Sequence, residues 1–533
     1  MRILFYVPDN QVTGNFMPQL WPFVLQSLTP PQHQVTIIDG NAQHLSPHEL
    51  VQLVKEKQFD LVGMGFMTRM AQTAYRMAAA LRAETKVPIV MGGPHVTALP
   101  DEPLGLTGLP RHADAVVVGE ADEVWPQILR DAENGCLKRL YEPKVVNGKE
   151  VKPNLVRYPA IPWEQLDLTL FNLMRFVPGS VKKLLKRFGV GYDNLYSIPM
   201  ETGRGCPYGC EFCTVTGFFG TSVRFRTNED VVAEILRIKA MAKRTNGLAT
   251  VFFVDDNLAI NRQRTKSLLR HMIANDACIP WTGQISINLL EDEELVQLIA
   301  ASGGRWIFMG LESVDPASLK VAHKEFNKPS QYKKVLNLLA KYNLYGITSF
   351  IYGMDGDETG VSRTTLDHID AWPPGLSVFG LLTPYPHTPL YDRLIAEGRL
   401  TRPKHWLDFR AFKTALEPKR MTSDEAEAEV RQSWSHCYSP ETFRRSQKWM
   451  LEHDKPFGAQ LVFFVARMLF RGIYFPQMDR WSWMKLLAQN ASTLASLLKS
   501  GWRSRRKIRP RQEEPPQEPA TLVLDPDEVE IEA

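Results

Sequence analysis

Six cysteines occur in 533 residues, and three of them fall within eight positions of GRGCPYGCEFC, as Cys206, Cys210 and Cys213. Six irregularly spaced cysteines do not make a disulfide framework, and no signal peptide opens the chain. The cluster therefore points to metal chemistry in a reducing, cytoplasmic compartment. A structural zinc ion usually takes four ligands, often as two C-x2-C pairs. Here the spacing is C-x3-C-x2-C, and no fourth cysteine or histidine stands nearby. Three thiolates on one loop can hold a four-iron cluster by three irons and leave the fourth open to a ligand. A three-cysteine zinc site is the competing reading. Gly203, Gly205 and Gly209 would let the loop wrap a cluster and turn amide N–H groups toward its sulfurs. Cys136, Cys278 and Cys437 are scattered and read as structural.

Such a loop needs a scaffold, and the surrounding pattern supplies one. Apolar runs at Ser197–Glu201, Thr250–Asp255, Trp281–Ile287, Arg305–Glu312, Tyr345–Gly353 and Ser377–Pro384 alternate with helical segments such as Asn228–Ala242 and Glu291–Ala301. Six βα units are too few for a closed eight-stranded barrel, so a partial (β/α)6 barrel is expected. The cysteines directly follow its first strand. Upstream, Arg2–Val7, Val35–Asp39, Leu61–Phe66, Pro88–Gly92 and Ala115–Gly119 alternate with amphipathic segments such as Pro47–Gln58 and Ala71–Glu84. That pattern predicts an α/β domain with a doubly wound parallel sheet, whose ligands lie beyond the carboxyl ends of the strands. The loops there carry Thr68, GGPH (Gly92–His95) and GEAD (Gly119–Asp122).

CPYGCEFC, with aromatic Phe212 before its last cysteine, resembles the cluster loop of the radical S-adenosylmethionine (SAM) superfamily. The resemblance implies a [4Fe-4S] cluster on Cys206, Cys210 and Cys213, whose open iron chelates the amino and carboxylate groups of SAM. One electron, from a donor such as flavodoxin or ferredoxin, then cleaves SAM to methionine and a 5′-deoxyadenosyl radical. It further implies SAM contacts from Phe212, from Asp255 and Asp256 in VFFVDDN, from Gln284 and Ser286, and from Glu312 in GLES. An α/β domain ahead of the barrel is similar to the cobalamin-binding subclass, with Thr68, Gly92, Gly93, Pro94, His95, Gly119 and Glu120 in its corrin-binding loops. Related cobalamin domains carry D-x-H-x-x-G after the first strand, and its histidine ligates cobalt. Here that loop reads PDNQVTGNFMPQLW, so a bound cobalamin is expected without that ligand. Members of the subclass commonly methylate unactivated carbons, and hopanoid methylases share the architecture. Ring closure, rearrangement or carbon–carbon coupling without methyl transfer is the alternative within the family. A non-catalytic cobalamin-responsive sensor is the alternative outside it.

Composition narrows the partners. The net charge of +4, with 44% hydrophobic and 23% charged residues, describes a globular protein and gives no sign of a nucleic-acid binder. The expected organisation is a cobalamin domain over 1–140, a proline-rich linker over 141–195, the barrel over 196–400, a helical region over 401–511 and a disordered acidic, proline-rich tail over 512–533. Within the helical region, Gly458–Phe475 is apolar but interrupted by Gln460, Arg467 and Arg471. WSWMKLL (Trp481–Leu487) and GWRSRRKIRPR (Gly501–Arg511), with six basic residues, follow it. Aromatics beside a basic cluster suit an anionic membrane surface. This predicts peripheral contact at the inner face of the membrane and a lipid or other small-molecule substrate. The other reading is a packed helix followed by a solvated tail.

Overall fold

The computed structural model describes the chain apart from residues 11–16, 177–178, 180–181, 184–185, 187–191, 401–408, 410–411, 475–479 and 508–533. The acidic tail from 512 therefore lies outside the described residues, as does most of the loop after the first strand. The end of the basic stretch lies outside them too.

The amino-terminal sheet contains β1 (Arg2–Val7), β2 (Gln34–Asp39), β3 (Leu61–Gly65), β4 (Ile89–Gly92), β5 (Ala115–Val117) and β6 (Leu140–Tyr141). All pairs are parallel, in the order β2-β1-β3-β4-β5-β6. Five strands match the apolar runs read from the sequence. The sixth has two residues, too few for any alternation to register. Ile3 to Val7 are buried on both sides of the sheet, the mark of a central parallel strand with helices on each face. Helix Pro47–Lys57 begins at a capping box: Ser46 accepts from the Glu49 amide, and the Glu49 carboxylate accepts from the Ser46 amide. The strand order reverses between β1 and β3, which opens a crevice beyond the carboxyl ends.

The proline-rich connector is tied down. A small hairpin, β7 (Val145–Val146) with β8 (Lys149–Glu150), opens it. Further on, Trp163 is fully buried in the barrel core, and its indole Nε1 donates to Glu234 Oε1 at 2.6 Å.

The second sheet comprises β9 (Asn194–Met200), β12 (Gly247–Phe253), β13 (Trp281–Gln284), β14 (Gly304–Glu312), β15 (Tyr345–Tyr352) and β16 (Leu376–Leu381), parallel and adjacent in chain order. A short ribbon, β10 (Gly203–Arg204) with β11 (Arg224–Phe225), brackets the cysteine loop. This is an open half barrel, and its outer edges are covered. At β9, Asn172 bridges to Tyr196, and its side-chain Oδ1 accepts from the Leu195 amide. At β16, the alternate carbonyls of Gly375, Ser377 and Phe379 accept from Arg467 Nη2, Tyr438 Oη and Trp434 Nε1 at 2.7, 2.9 and 2.9 Å. The side chains of the C-terminal helices thus occupy the groups that a further strand would pair with. Those helices are Ser423–Cys437, Pro440–Glu452, Phe457–Tyr474, Arg480–Gln489 and Ala491–Lys507. Among the described residues, no helix is long and apolar enough to cross a membrane.

Candidate active site at the junction of two domains

The cysteine loop leaves β9 in a conformation that its glycines permit. Gly205 has φ +94°, and a Cβ there would come 2.3 Å from the Ser222 carbonyl oxygen. A Cβ on Gly203 would come 2.7 Å from the Arg224 carbonyl, so both positions require glycine. Gly209 differs: a Cβ there meets nothing within 4 Å, so packing makes no demand for glycine. The loop is pinned by side chains. Gly205 donates its amide to Asp256 Oδ2 at 3.0 Å, Glu211 donates its amide to the Ala322 carbonyl, and the Glu211 carboxylate pairs with Arg393.

Cys210 is buried, while Cys206 and Cys213 are partly so. Burial raises all three thiols, Cys210 to about 11, and each also feels its neighbours' charge. A metal must therefore displace protons to bind. Among the described residues no three His, Cys, Asp or Glu side chains converge on a point fit for one metal ion. The donor set suits a polynuclear cluster, in which each thiolate takes its own iron.

Lys324, which the sequence reading missed, is the cation of this site. Its Nζ lies 2.6 Å from Glu312 Oε1 and 5.7 Å from the Phe212 ring centroid, and its charge opposes the rise in all three thiols. Glu312 ends β14 with φ +64°, beyond a register shift in the strand. A non-glycine residue held in that region costs about 1–3 kcal/mol and marks functional positions. Its Oε2 is buried without a hydrogen-bond partner. Tyr208 stacks on Phe326 with centroids 3.9 Å apart and accepts from Asn288 Nδ2 at 3.2 Å.

The remaining expected SAM residues separate into two groups. Asp255 is committed to the loop itself: Oδ2 accepts from the Thr202 amide at 2.8 Å and Oδ1 from Thr202 Oγ1 at 2.6 Å. Arg264 donates to the same hydroxyl. Asp256, Gln284 and Ser286 are partly exposed at the strand ends. Burial lifts the Asp256 carboxyl to about 7. Ser286 Oγ accepts from Asn257 Nδ2 at 2.9 Å, and Gln284 Nε2 approaches the Asp255 carbonyl. Phe212 packs beside Ala322, Met354 and Leu390.

In the amino-terminal crevice, Gly92, Gly93 and Pro94 are partly exposed, while His95 is fully buried. Gly93 has φ +94°, and a Cβ there would come 2.8 Å from the Phe66 backbone. The crevice thus presents bare backbone, which fits the flat face of a corrin. The His95 nitrogens point inward, Nδ1 to Thr68 Oγ1 at 3.3 Å and Nε2 to Tyr75 Oη at 3.1 Å. Gly119 has φ +72° and donates its amide to Thr97 Oγ1.

Glu120 joins the two halves of the protein. Arg204, in the ribbon just ahead of the cysteines, lies 2.7 Å from Glu120, 2.9 Å from Asp122 and 2.8 Å from Glu201. Arg224 lies 2.9 Å from Glu120, and Lys152 lies 3.8 Å from it. Arg204 is identifiable in the sequence only as a lone arginine among glycines. Helix Pro94–Ala98 also packs on helix Val215–Phe218, which directly follows Cys213. Arg69, after β3, lies near enough to Tyr385, in the loop after β16, for its charge to act on the phenol. The loops at the carboxyl ends of the amino-terminal strands and the ribbon and helix that flank the thiol loop are therefore in direct contact.

Family models match this division. A B12 binding domain matches residues 10–129, and the radical SAM superfamily matches residues 200–359. The chain is 28% identical over 407 residues to bacteriochlorophyllide d C-8(2)-methyltransferase of Chlorobaculum tepidum, covering 74% of this chain and 80% of that one. It is 26% identical over 391 residues to hopanoid C-2 methylase of Rhodopseudomonas palustris, covering 72% and 66%. It is also 23% identical over 403 residues to the anaerobic magnesium-protoporphyrin IX monomethyl ester cyclase of Rubrivivax gelatinosus, covering 74% and 70%. In fold it is similar to the radical SAM methyltransferase TsrM of Kitasatospora setae, solved with cobalamin and a [4Fe-4S] cluster bound. The TM-score is 0.56, at 18% identity over 81% of each chain. With a B12-binding domain and a radical SAM domain meeting at one site, the chain belongs to the cobalamin-binding radical SAM enzymes.

Proposed function

We propose that the protein methylates an unactivated carbon of an apolar, lipid-like substrate. The observation that carries this reading is the direct contact, through Arg204, Glu120 and Arg224, between the ribbon that brackets the thiol loop and the loops at the carboxyl ends of the amino-terminal strands. Methyl transfer between two cofactors and a substrate needs all three close together and water excluded. When bound, the cluster and cobalamin supply reductive cleavage of SAM and delivery of a methyl group.

The chain's own part is positional. Cys206, Cys210 and Cys213 hold iron, and Lys324 offsets their negative charge. Asp256 fixes the Gly205 amide and so the loop's entry. Gln284, Ser286 and Glu312 offer acceptors and donors to the polar groups of SAM, with Phe212 beside its adenine. Thr68, Gly92, Gly93, Pro94 and Gly119 form the corrin crevice, whose shape His95 and Glu120 support from behind. Thr202 consumes the Asp255 carboxylate, so Asp255 shapes the loop and leaves SAM binding to its neighbours. A ferredoxin- or flavodoxin-type donor supplies the electron.

The relatives named for bacteriochlorophyllide and hopanoid methylation favour an apolar polycyclic substrate. Exposed Trp481, Met484 and Trp502, at 80%, 62% and 61%, favour peripheral contact at the cytoplasmic face of a membrane. Methyl-deuterated SAM separates methyl transfer from the ring closure carried out by the cyclase relative, because only a methylase delivers the label to product. Unlabelled product would overturn the proposal. Substituting Cys206, Cys210 or Cys213 by alanine should abolish deoxyadenosine formation, which would also exclude a non-catalytic sensor. Co-sedimentation with anionic liposomes, lost when residues 458–533 are removed, tests the membrane contact.

A further inference from the structure

The half barrel is open between its first and last strands, and one ion pair joins them at the mouth. β9 and β16 lie at opposite edges of the six-stranded sheet, five strand spacings of about 4.8 Å apart. The thiol loop leaves the first of these strands, and helix Pro389–Ala396 follows the last. They meet at Glu211, which stands between Cys210 and Cys213.

The Glu211 backbone is held on both sides. Its amide donates to the Ala322 carbonyl, after helix Pro316–Val321, at 3.3 Å, and its carbonyl accepts from the Leu390 amide at 3.1 Å. Its carboxylate takes the Arg393 guanidinium side-on: Oε1 accepts from Nε at 2.5 Å and Oε2 from Nη2 at 3.0 Å. Those two nitrogens share one edge of the guanidinium, so the pairing fixes direction as well as distance. The remaining nitrogen, Nη1, lies 2.8 Å from Asp355 and 3.2 Å from Glu397. Both of these acids also have Arg399 and Lys419, whereas Glu211 has no second ion pair among the described residues. The loss of Arg393 would therefore fall on Glu211. The segment after Cys213 touches the same region, since a Cβ on Gly217 would come 2.9 Å from the His387 ring, just ahead of the helix.

We propose that Arg393 is a positioning residue for the iron–sulfur cluster: it straps the thiol loop across the open mouth and cancels the carboxylate charge next to Cys210. The role is the same for methyl transfer and for ring closure, so its failure would leave the proposed reaction untouched. The test uses the full chain, first free of iron and then reconstituted without oxygen. In the iron-free protein, alkylation of buried Cys210, located by tandem mass spectrometry, should quicken roughly tenfold in Arg393→Met, while exposed Cys136 keeps its rate. After reconstitution, the EPR-monitored midpoint of the cluster should shift negative in Arg393→Met, because the Glu211 charge is no longer balanced. Adding Glu211→Gln to that variant should return the midpoint to the native value and leave Cys210 reactive, since charge balance is restored and the strap is not. Glu211→Gln alone keeps the arginine and should shift the midpoint positive, which serves as the test if Arg393→Met fails to load iron. A role in folding alone would move the midpoints of the single and double Arg393 variants together. That result overturns the proposal, and so does an unchanged Cys210 rate in Arg393→Met or an unmoved midpoint in Glu211→Gln.

Discussion

Replacing Arg204 by methionine asks whether charge holds the two cofactor loops together. Its side chain is 7% exposed and sits between Glu120, Asp122 and Glu201, while Arg224 and Lys152 complete a set of three cations against three carboxylates. Methionine keeps most of the stem volume but leaves three acids facing two cations. Breaking a buried pair on one side costs about 3–5 kcal/mol, because the other charge is left uncompensated. Arg204 serves three acids, so the upper half of that range is expected. With urea slopes of about 1–3 kcal/mol per molar for a small domain and steeper for a larger one, the unfolding midpoint should fall by roughly 1 M or more. Tryptophan fluorescence follows it, since Trp125 lies in the first domain and Trp163 in the barrel core. The pH dependence has a definite sign. Burial already raises the Glu120 carboxyl, opposed by Arg204 and Arg224. Losing Arg204 raises it further, so the folded variant binds a proton that the unfolded chain releases. Stability then falls as pH climbs from the ordinary carboxylate value through the raised one. The deficit should be larger at pH 8 than at pH 5.5, and Arg204→Met combined with Glu120→Gln should recover part of it. An unchanged midpoint at pH 8, or a larger deficit at pH 5.5, refutes the reasoning.

Three further outcomes follow from the same geometry. Gly205→Ala places a Cβ 2.3 Å from the Ser222 carbonyl at φ +94°, so iron per chain after reconstitution should fall by more than half; full loading would show that the loop can move aside. Lys324→Met removes the cation beside the thiols, so the cluster should become harder to reduce, on the order of tens of millivolts in an EPR-monitored titration. A potential that holds or rises counts against Lys324 as the balancing charge. Trp163→Ala empties a fully buried indole site and removes the donor to Glu234 Oε1, leaving Glu234 with Arg226 at 2.7 Å, and should cost about 3–5 kcal/mol in urea unfolding; a loss below about 1 kcal/mol would make the connector a passive tether.

The elements were legible where apolar alternation is long. Arg2–Val7 and Ala71–Glu84 have the bounds read from the pattern, because a central strand and an amphipathic helix write their burial into consecutive residues. The pair Leu140–Tyr141 writes nothing. The thiol loop was legible because cysteine is rare and spacing limits what it can bind. Lys324 was not, since a turn of twelve residues after Glu312 brings it back and no periodicity marks the return. The two neighbouring aspartates look alike in VFFVDDN, yet one serves Thr202 and the other Gly205. Which way a carboxylate turns depends on a loop fifty residues away, beyond the reach of local pattern.

The side-chain caps along β16 also constrain how the protein is made. Trp434, Tyr438 and Arg467 lie roughly 50 to 90 residues beyond the strand whose carbonyls they occupy. At synthesis rates of about 5–20 residues per second, the nascent barrel spends roughly 4–17 s with a bare β-edge before its last cap emerges. Open edges of that kind recruit other strands. A gene shortened after the barrel would make that exposure permanent, so the C-terminal helices have a task during biosynthesis that is independent of any substrate or membrane.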